Sequence, residues 1–131
     1  MNGKKNVLIV TDGVEKVNKI AEDIAATLKG NKVLIKDVSA FVGTDLLGAD
    51  VLFFGCEEPP SSNFGYFEEI LQHINLAGRT LGVFSLNSIK AVQYLARMAK
   101  DSEAALNPKP FFATKPIDLG KWTAMVLTGQ Y

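Results

Sequence analysis

Two short runs of consecutive apolar residues constrain the fold of this chain more than any other feature. They span Val7–Val10 and Val51–Phe54. A strand with one exposed face alternates apolar and polar residues, whereas an unbroken apolar run of this length indicates a strand buried on both faces. Such strands are typical of parallel sheets covered by helices on both sides. The two runs are therefore predicted to be the first strand and the central third strand of a sheet of this kind.

Segments with helical periodicity separate the predicted strands. In the predicted helices, apolar residues recur at intervals of three and four, and these segments cover Val14–Lys29, Phe64–Ile74 and Ser88–Ala105, with a short last helix capped by Asp118. The remaining predicted strands cover Lys32–Val38, Leu81–Ser85 and Pro110–Thr114. Residues 39–49 leave room for one short helical turn around Asp45–Leu47. Trp122, on the last helix, is predicted to pack against the fifth strand.

Strands and helices therefore alternate along the chain with short connections. Right-handed crossovers then give a parallel sheet with helices on both faces. At 131 residues, the length suits one domain of this kind, spanning 1–131, and no repeat or linker divides it. The predicted fold class is a three-layer, doubly wound α/β domain with five parallel strands.

Charge and cysteine content restrict the partners and the compartment. Fourteen basic and fourteen acidic residues cancel, so there is no positive field to hold nucleic acid or an anionic membrane surface. Cys56 is the only cysteine, so no internal disulfide forms, which suits a reducing compartment. The first apolar run is too short for a signal peptide or a membrane span. We expect a cytoplasmic protein that binds neither nucleic acid nor membranes.

A ligand of such a sheet is expected at the carboxyl ends of its strands. In open parallel sheets, ligands bind there, at the point where the strand order reverses. Three loops are predicted to meet at that edge, and they span Thr11–Val17, Cys56–Asn63 and Ser85–Ser88. No pair of histidine, cysteine or carboxylate residues has the spacing of a metal site, and the single histidine, His73, is predicted to lie on a helix surface.

Three segments resemble the flavodoxin family. Ala21–Ala25 is similar to the first helix of that family, Phe54-Gly55-Cys56 to the end of its third strand, and Leu76–Phe84 to the entry into its fourth strand. The spacing of the elements resembles that of a short flavodoxin over most of the chain. The resemblance implies the strand order 2-1-3-4-5 and a place for FMN at the carboxyl edge.

The loop that corresponds to the phosphate-binding loop of the family departs from its pattern. Flavodoxins that bind FMN carry Ser/Thr-x-Thr-Gly-x-Thr there, and the corresponding residues in this chain are Asp12, Gly13, Val14, Glu15, Lys16 and Val17, after Thr11. Carboxylates at Asp12 and Glu15 disfavour a phosphate dianion, although Lys16 offsets one charge. The backbone amides of Gly13–Lys16 remain at a helix N-terminus, which suits an anion. The sequence predicts an FMN site that is eroded.

The residues expected on either side of a flavin ring also depart from the pattern of the family. The family stacks the flavin between aromatic residues of the second and third loops, and neither loop has one in register here. Phe64 and Tyr66 lie nearby, but Phe64 is predicted to begin the core face of a helix. If a flavin is bound, its ring is expected to contact Cys56, Glu57, Glu58, Pro59, Phe64, Ser85, Leu86, Asn87 and Ser88.

Three functional interpretations follow. The favoured one is a flavodoxin-like domain with an eroded FMN site that acts as a non-catalytic binding or regulatory module with a redox or regulatory protein partner. The alternative is an atypical flavodoxin-type electron carrier that binds FMN through loop amides. The third is a pseudo-receiver domain, because Lys115-Pro116, Asp12 and Ser85 resemble parts of a response-regulator receiver.

A receiver needs an aspartate at the end of its third strand, where this chain has Gly55-Cys56, so phosphotransfer is not expected. Nucleophilic catalysis by Cys56 is disfavoured by the neighbouring Glu57 and Glu58, because negative charges oppose formation of a thiolate. We therefore predict Cys56 as a buried core residue and assign no catalytic residue.

Overall fold

A parallel sheet forms the middle layer of the computed structural model, which describes residues 4–57 and 64–131. Its strands are β1 (Asn6–Thr11), β2 (Lys32–Asp37), β3 (Val51–Gly55), β4 (Thr80–Ser85), β5 (Ala105–Leu106) and β6 (Phe111–Phe112). The strand order is β2-β1-β3-β4-β5, with β6 also paired to β4, and every pair is parallel. The predicted order 2-1-3-4-5 is confirmed.

Within residues 4–57 and 64–131, five helices cover the two faces of the sheet. They are α1 (Glu15–Thr27), α2 (Gly43–Leu47), α3 (Gly65–His73), α4 (Ile89–Ser102) and α5 (Leu119–Thr128). The buried residues of α1 and α5 share one core with one face of the sheet, and those of α2, α3 and α4 share a second core with the other face. The three-layer doubly wound architecture follows from this division.

The unbroken apolar runs supply both cores at once. In β1, Val7 and Ile9 belong to the core under α1 and α5, whereas Leu8 and Val10 belong to the opposite core. Successive side chains of a strand point to opposite faces, so a central strand must be apolar at every position. The same reason accounts for Val51–Phe54 in β3, whose residues are all buried.

The fifth position of the sheet differs from the prediction. The helix predicted to reach Ala105 ends at Ser102, because Glu103 adopts φ 65°, a left-handed conformation that terminates helices. The chain then pairs with β4 twice, first through β5 and again through β6, in place of one strand over Pro110–Thr114. Pro108 and Pro110 lie between the two strands and lack the N–H that a continuous ladder requires.

Other local predictions agree with the structure. The Asp118 side chain accepts the Lys121 N–H at 3.0 Å and caps α5. Trp122 is buried against Phe111, with ring centroids 5.5 Å apart, and its indole N–H donates to the Lys109 carbonyl at 2.7 Å. Residues 43–47 form the short helix for which the sequence left room. No helix in the described parts of the chain is long and apolar enough to span a membrane.

Candidate functional site

The described residues of the three predicted loops, which for the second loop are Cys56 and Glu57, lie together at the carboxyl edge of the sheet. The side chain of Asp12 joins the first loop to the second. One Asp12 oxygen accepts the Glu57 N–H at 2.8 Å, and the other accepts the Val14 N–H at 3.0 Å. Asp12 and Glu57 are both half-buried. The carboxylate of Asp12 thus fixes the end of β3 to the start of α1.

Glu57 continues this connection to the third loop. Its Oε1 accepts hydrogen bonds from the Ser85 hydroxyl at 2.5 Å and from the Leu86 N–H at 2.9 Å, with a longer one from the Asn87 N–H at 3.4 Å. Asn87 is also tied to the loop after β6, because its side-chain oxygen accepts the Thr114 hydroxyl at 2.8 Å. Two carboxylates of the chain itself therefore hold the carboxyl edge together.

A third carboxylate, which the sequence analysis did not single out, lies beside the first loop. Asp37 ends β2, and a Cβ at Gly13 would lie 2.3 Å from its Oδ2. Gly13 also has φ +84°, so both its conformation and this close approach require glycine. The Asp37 side chain accepts the Ser39 N–H and hydroxyl at 2.8 and 2.9 Å. The Asp-x-Ser pattern at the end of a predicted strand is the signal that could have drawn attention to it.

The N-terminus of α1 is the part of this edge that keeps the potential of an anion site. Val14 occupies the N-cap position without a side-chain cap, and Glu15 and Lys16 are exposed. Val17 is fully buried and packs in the core. The hydroxyl of Thr11 is directed inward, where it bonds to the Asn18 side chain. The Gly13 and Val14 N–H groups are already bonded to the Thr11 hydroxyl and to Asp12. In the described structure an anion could therefore use only the Glu15 and Lys16 amides and the Lys16 side chain, with the Glu15 and Asp37 carboxylates close by.

The aromatic residues near the site are used for packing. Phe64 is buried, and its ring makes edge contacts with Phe67 and Tyr94 at centroid distances of 5.8 Å each. This position is the one that the core interpretation predicts. Tyr66 is half-exposed and faces Phe41, with centroids 6.1 Å apart. Of the other residues expected at a flavin ring, Glu58 and Pro59 lie outside the described residues.

Cys56 lies in the core under α3 and α4, with none of its surface exposed. Burial raises the pKa of its thiol to about 12, and the charges of Asp12 and Glu57 act in the same direction. The thiol therefore stays protonated at neutral pH, and a protonated, inaccessible sulfur is not a nucleophile. The structure supports the core interpretation of Cys56.

This burial predicts a slow reaction of native Cys56 with thiol reagents. Because access requires opening of the core, we expect labelling by a maleimide at pH 7.5 to be at least about a hundredfold slower than in the denatured chain. The raised pKa also makes stability depend on pH. In the unfolded chain the thiol ionises above about pH 9, whereas in the folded protein it stays protonated until about pH 12. The free energy of unfolding that the protonated thiol contributes is therefore lost as the pH rises from 9 towards about 12. Mass spectrometry of timed samples measures the labelling, and equal rates in both states would contradict the assignment.

Within the described ranges, no group of three or more histidine, cysteine, aspartate or glutamate residues is arranged to hold a metal ion. His73 is exposed at the end of α3, on the helix surface where the sequence analysis placed it.

Comparison with known proteins identifies the fold. No family model matches the chain, and no curated protein matches it in sequence. Among solved structures, a flavodoxin of Streptococcus pneumoniae TIGR4 superposes with a TM-score of 0.79 at 17% identity, covering 95% of this chain and 98% of that one. A short-chain flavodoxin associated with a non-canonical PDU bacterial microcompartment gives a TM-score of 0.79 at 16% identity, covering 99% and 100%. A flavodoxin mutant of Fusobacterium nucleatum bound to flavin mononucleotide gives 0.66 at 14% identity, covering 90% and 80%.

A response regulator of Burkholderia multivorans is more distant. Its TM-score is 0.55 at 18% identity, with coverage of 97% of this chain and 96% of that one. The end of β3 holds Gly55 and the buried Cys56, so no carboxylate stands where a receiver accepts phosphate. Strand order, layers and the superpositions agree that the chain has the flavodoxin-like fold.

Proposed function

We propose that this chain is a flavodoxin-like binding or regulatory module that acts without FMN. One observation carries the proposal: the carboxylates of Asp12 and Glu57 occupy amide and hydroxyl donors on all three loops of the carboxyl edge. In a fold that binds ligands at this edge, these donors are the groups that a ligand would use. Here they are already paired within the protein.

Electrostatics supports the same proposal. Asp12, Glu15 and Asp37 lie in or beside the first loop, where a phosphate dianion would have to sit, and Lys16 balances only one of these charges. Two like charges 4 Å apart repel by about 4 kcal/mol at an effective dielectric constant of about 20. A dianion at this loop would therefore be repelled by more than one carboxylate.

The second candidate is an atypical FMN-binding electron carrier. The uncapped N-terminus of α1 and the exposed Lys16 favour it, because helix N-termini attract anions. The likeness to flavodoxins, one of them solved with flavin mononucleotide, makes FMN a reasonable ligand to test. In this case the first loop would hold the phosphate, the two following loops would orient the ring, and the flavin would supply the electron-transfer chemistry.

An FMN titration separates the two functions. We expect the purified protein to be colourless and the fluorescence of added FMN to remain unquenched up to about 1 mM protein, which corresponds to binding weaker than about 4 kcal/mol. The flavin signal is the suitable readout because Trp122 packs among Phe53 and Phe111 in the core under α1 and α5. Circular dichroism of the same sample verifies that the protein is folded.

Riboflavin provides the matched control ligand because it lacks the phosphate. A yellow protein, or saturable quenching at micromolar concentrations, would overturn the proposal in favour of the electron carrier. In that event, FMN binding much tighter than riboflavin binding would assign the affinity to the first loop. Similar affinities would assign it to the ring.

A further inference from the structure

A cavity of about 300 Å³ lies between α4 and the segment that joins β5 to β6. Pro108 and Pro110 interrupt the pairing of this segment with β4. β4 therefore pairs with β5 up to Leu81 and with β6 only from Phe84 onwards. Val83, which falls in the gap between the two pairings, lines the cavity.

The lining of this cavity is mainly apolar, and none of the described residues in it is charged. Val92 and Phe112 also belong to the core under α2, α3 and α4, whereas Ile89 is 58% exposed. The cavity thus connects core side chains with the surface. Because a closed apolar cavity of about 150 Å³ binds benzene, about 300 Å³ has room for one ring with a substituent.

Asn107 adds an unpaired hydrogen-bond donor to this lining. It is 1% exposed, and its Oδ1 accepts the Lys109 N–H at 3.0 Å. That bond identifies the oxygen of the side-chain amide, so the remaining atom is Nδ2, which can only donate. Among the described residues, Nδ2 has no hydrogen-bond partner, and almost none of its surface is accessible to water. A buried donor without an acceptor destabilises the protein, and an acceptor from a ligand would remove that penalty.

We propose that this cavity binds a small uncharged molecule with an apolar ring and a carbonyl oxygen, and that the oxygen accepts a hydrogen bond from Asn107 Nδ2. An ion would lose its hydration without gaining an opposite charge, and a wholly apolar molecule would leave Nδ2 unpaired. The contact requires a small movement of the cavity wall, because Nδ2 is covered in the free protein. The cavity lining includes no described residue of the three carboxyl-edge loops, so the inference is independent of the proposed function.

An NMR titration of the unmodified, ¹⁵N-labelled protein tests the site directly. Acetophenone is a suitable probe, because it consists of one ring and one carbonyl group. We expect saturable binding with a Kd on the order of 1 mM, together with a shift of the side-chain amide signals of Asn107. α-Methylstyrene is the matched control ligand, since it has a CH₂ group in place of the carbonyl oxygen, and it should leave the Asn107 signals nearly unshifted.

Asn107→Asp is the variant matched in size. It keeps an oxygen for the Lys109 N–H and puts a second oxygen in place of Nδ2. We expect this variant to bind acetophenone about tenfold more weakly than the unmodified protein does. Its affinity for α-methylstyrene should change by about twofold or less, because that ligand has no acceptor for Nδ2.

A second pair of variants tests the cavity without changing Asn107. Ala96 lines the cavity from α4, so Ala96→Leu should fill part of it and abolish binding of both ligands. Ala124 is exposed on α5, on the other side of the sheet, so Ala124→Leu should leave binding unchanged. Circular dichroism verifies that each variant is folded.

The proposal would be overturned if acetophenone did not bind saturably, or bound without shifting the Asn107 signals. Equal losses of affinity for both ligands in Asn107→Asp would also contradict it. If that variant does not fold, the Asn107 signals of the unmodified protein and the comparison of Ala96→Leu with Ala124→Leu decide the question. The FMN titration tests the proposed function separately, because the flavin is expected at the carboxyl edge.

Discussion

A Gly55→Ala variant is expected to lose about 3 kcal/mol of unfolding free energy, because there is no room for a side chain at the end of β3. A Cβ at this position would lie 2.2 Å from Cε2 and 2.3 Å from Cζ of Phe84. Phe84 is fully buried and pairs with Gly55 across the β3–β4 ladder, so its ring has little freedom to move. Chemical denaturation followed by circular dichroism measures the loss.

Gly65→Ala is the matched control for this change. Gly65 begins α3, and a Cβ there would meet no atom within 4 Å. Because alanine favours helix over glycine, this variant should be unchanged or more stable by up to about 1 kcal/mol. A Gly55→Ala protein as stable as Gly65→Ala would show that the β3–β4 packing around Phe84 is loose. Since Ser85 follows Phe84, a displaced ring would also disturb the hydrogen bond from the Ser85 hydroxyl to Glu57.

A Phe67→Ala variant should be destabilised by about 4 kcal/mol, the largest effect that we expect from one substitution. Phe67 is fully buried and is the centre of an aromatic cluster. Its ring makes edge contacts with Phe41, Phe54 and Phe64 at centroid distances of 5.0, 4.9 and 5.8 Å. Truncation removes these contacts and leaves a cavity that three rings cannot readily fill.

Tyr66→Ala, one residue earlier on the same helix, serves as the comparison. Tyr66 is 51% exposed and contacts only Phe41 among the rings in the described structure. Its truncation should cost less than about 1 kcal/mol, measured in the same denaturant titration. Equal losses in the two variants would mean that α3 as a whole, and not the cluster around Phe67, determines the stability of this layer.

The sheet and its order could be predicted because burial on both faces leaves a clear trace in the sequence. Val7–Val10 and Val51–Phe54 contain no polar residue, and in the helices apolar residues recur every three to four positions. The pair of short strands at the fifth position of the sheet could not be predicted from the sequence. β5 and β6 have two residues each, too few for any periodicity, and the left-handed conformation of Glu103 is one that non-glycine residues seldom adopt.

At the candidate site, the sequence allowed the convergence of strand ends to be predicted but not the hydrogen bonds between them. Strand ends in a parallel sheet must meet, so the convergence of Asp12, Glu57 and Ser85 followed from topology. The hydrogen bonds between these residues could not be predicted, because a carboxylate in a loop can be solvated by water as readily as it can accept a hydrogen bond from a neighbouring amide. Asp37 was missed since its approach to Gly13 depends on the β1–β2 register, in which Thr11 pairs with Asp37. The expected cofactor contacts of these loops remain predictions.

The division of the interior by the sheet also determines what a fluorescence experiment can observe. Trp122 is the only tryptophan, and it packs with Phe53 on the side covered by α1 and α5. The cluster around Phe67 lies on the opposite side. Tryptophan emission therefore reports the loss of one layer alone, whereas circular dichroism reports both. If the two denaturation curves coincide, the central strands couple the layers into one cooperative unit, and if they separate, each layer melts by itself.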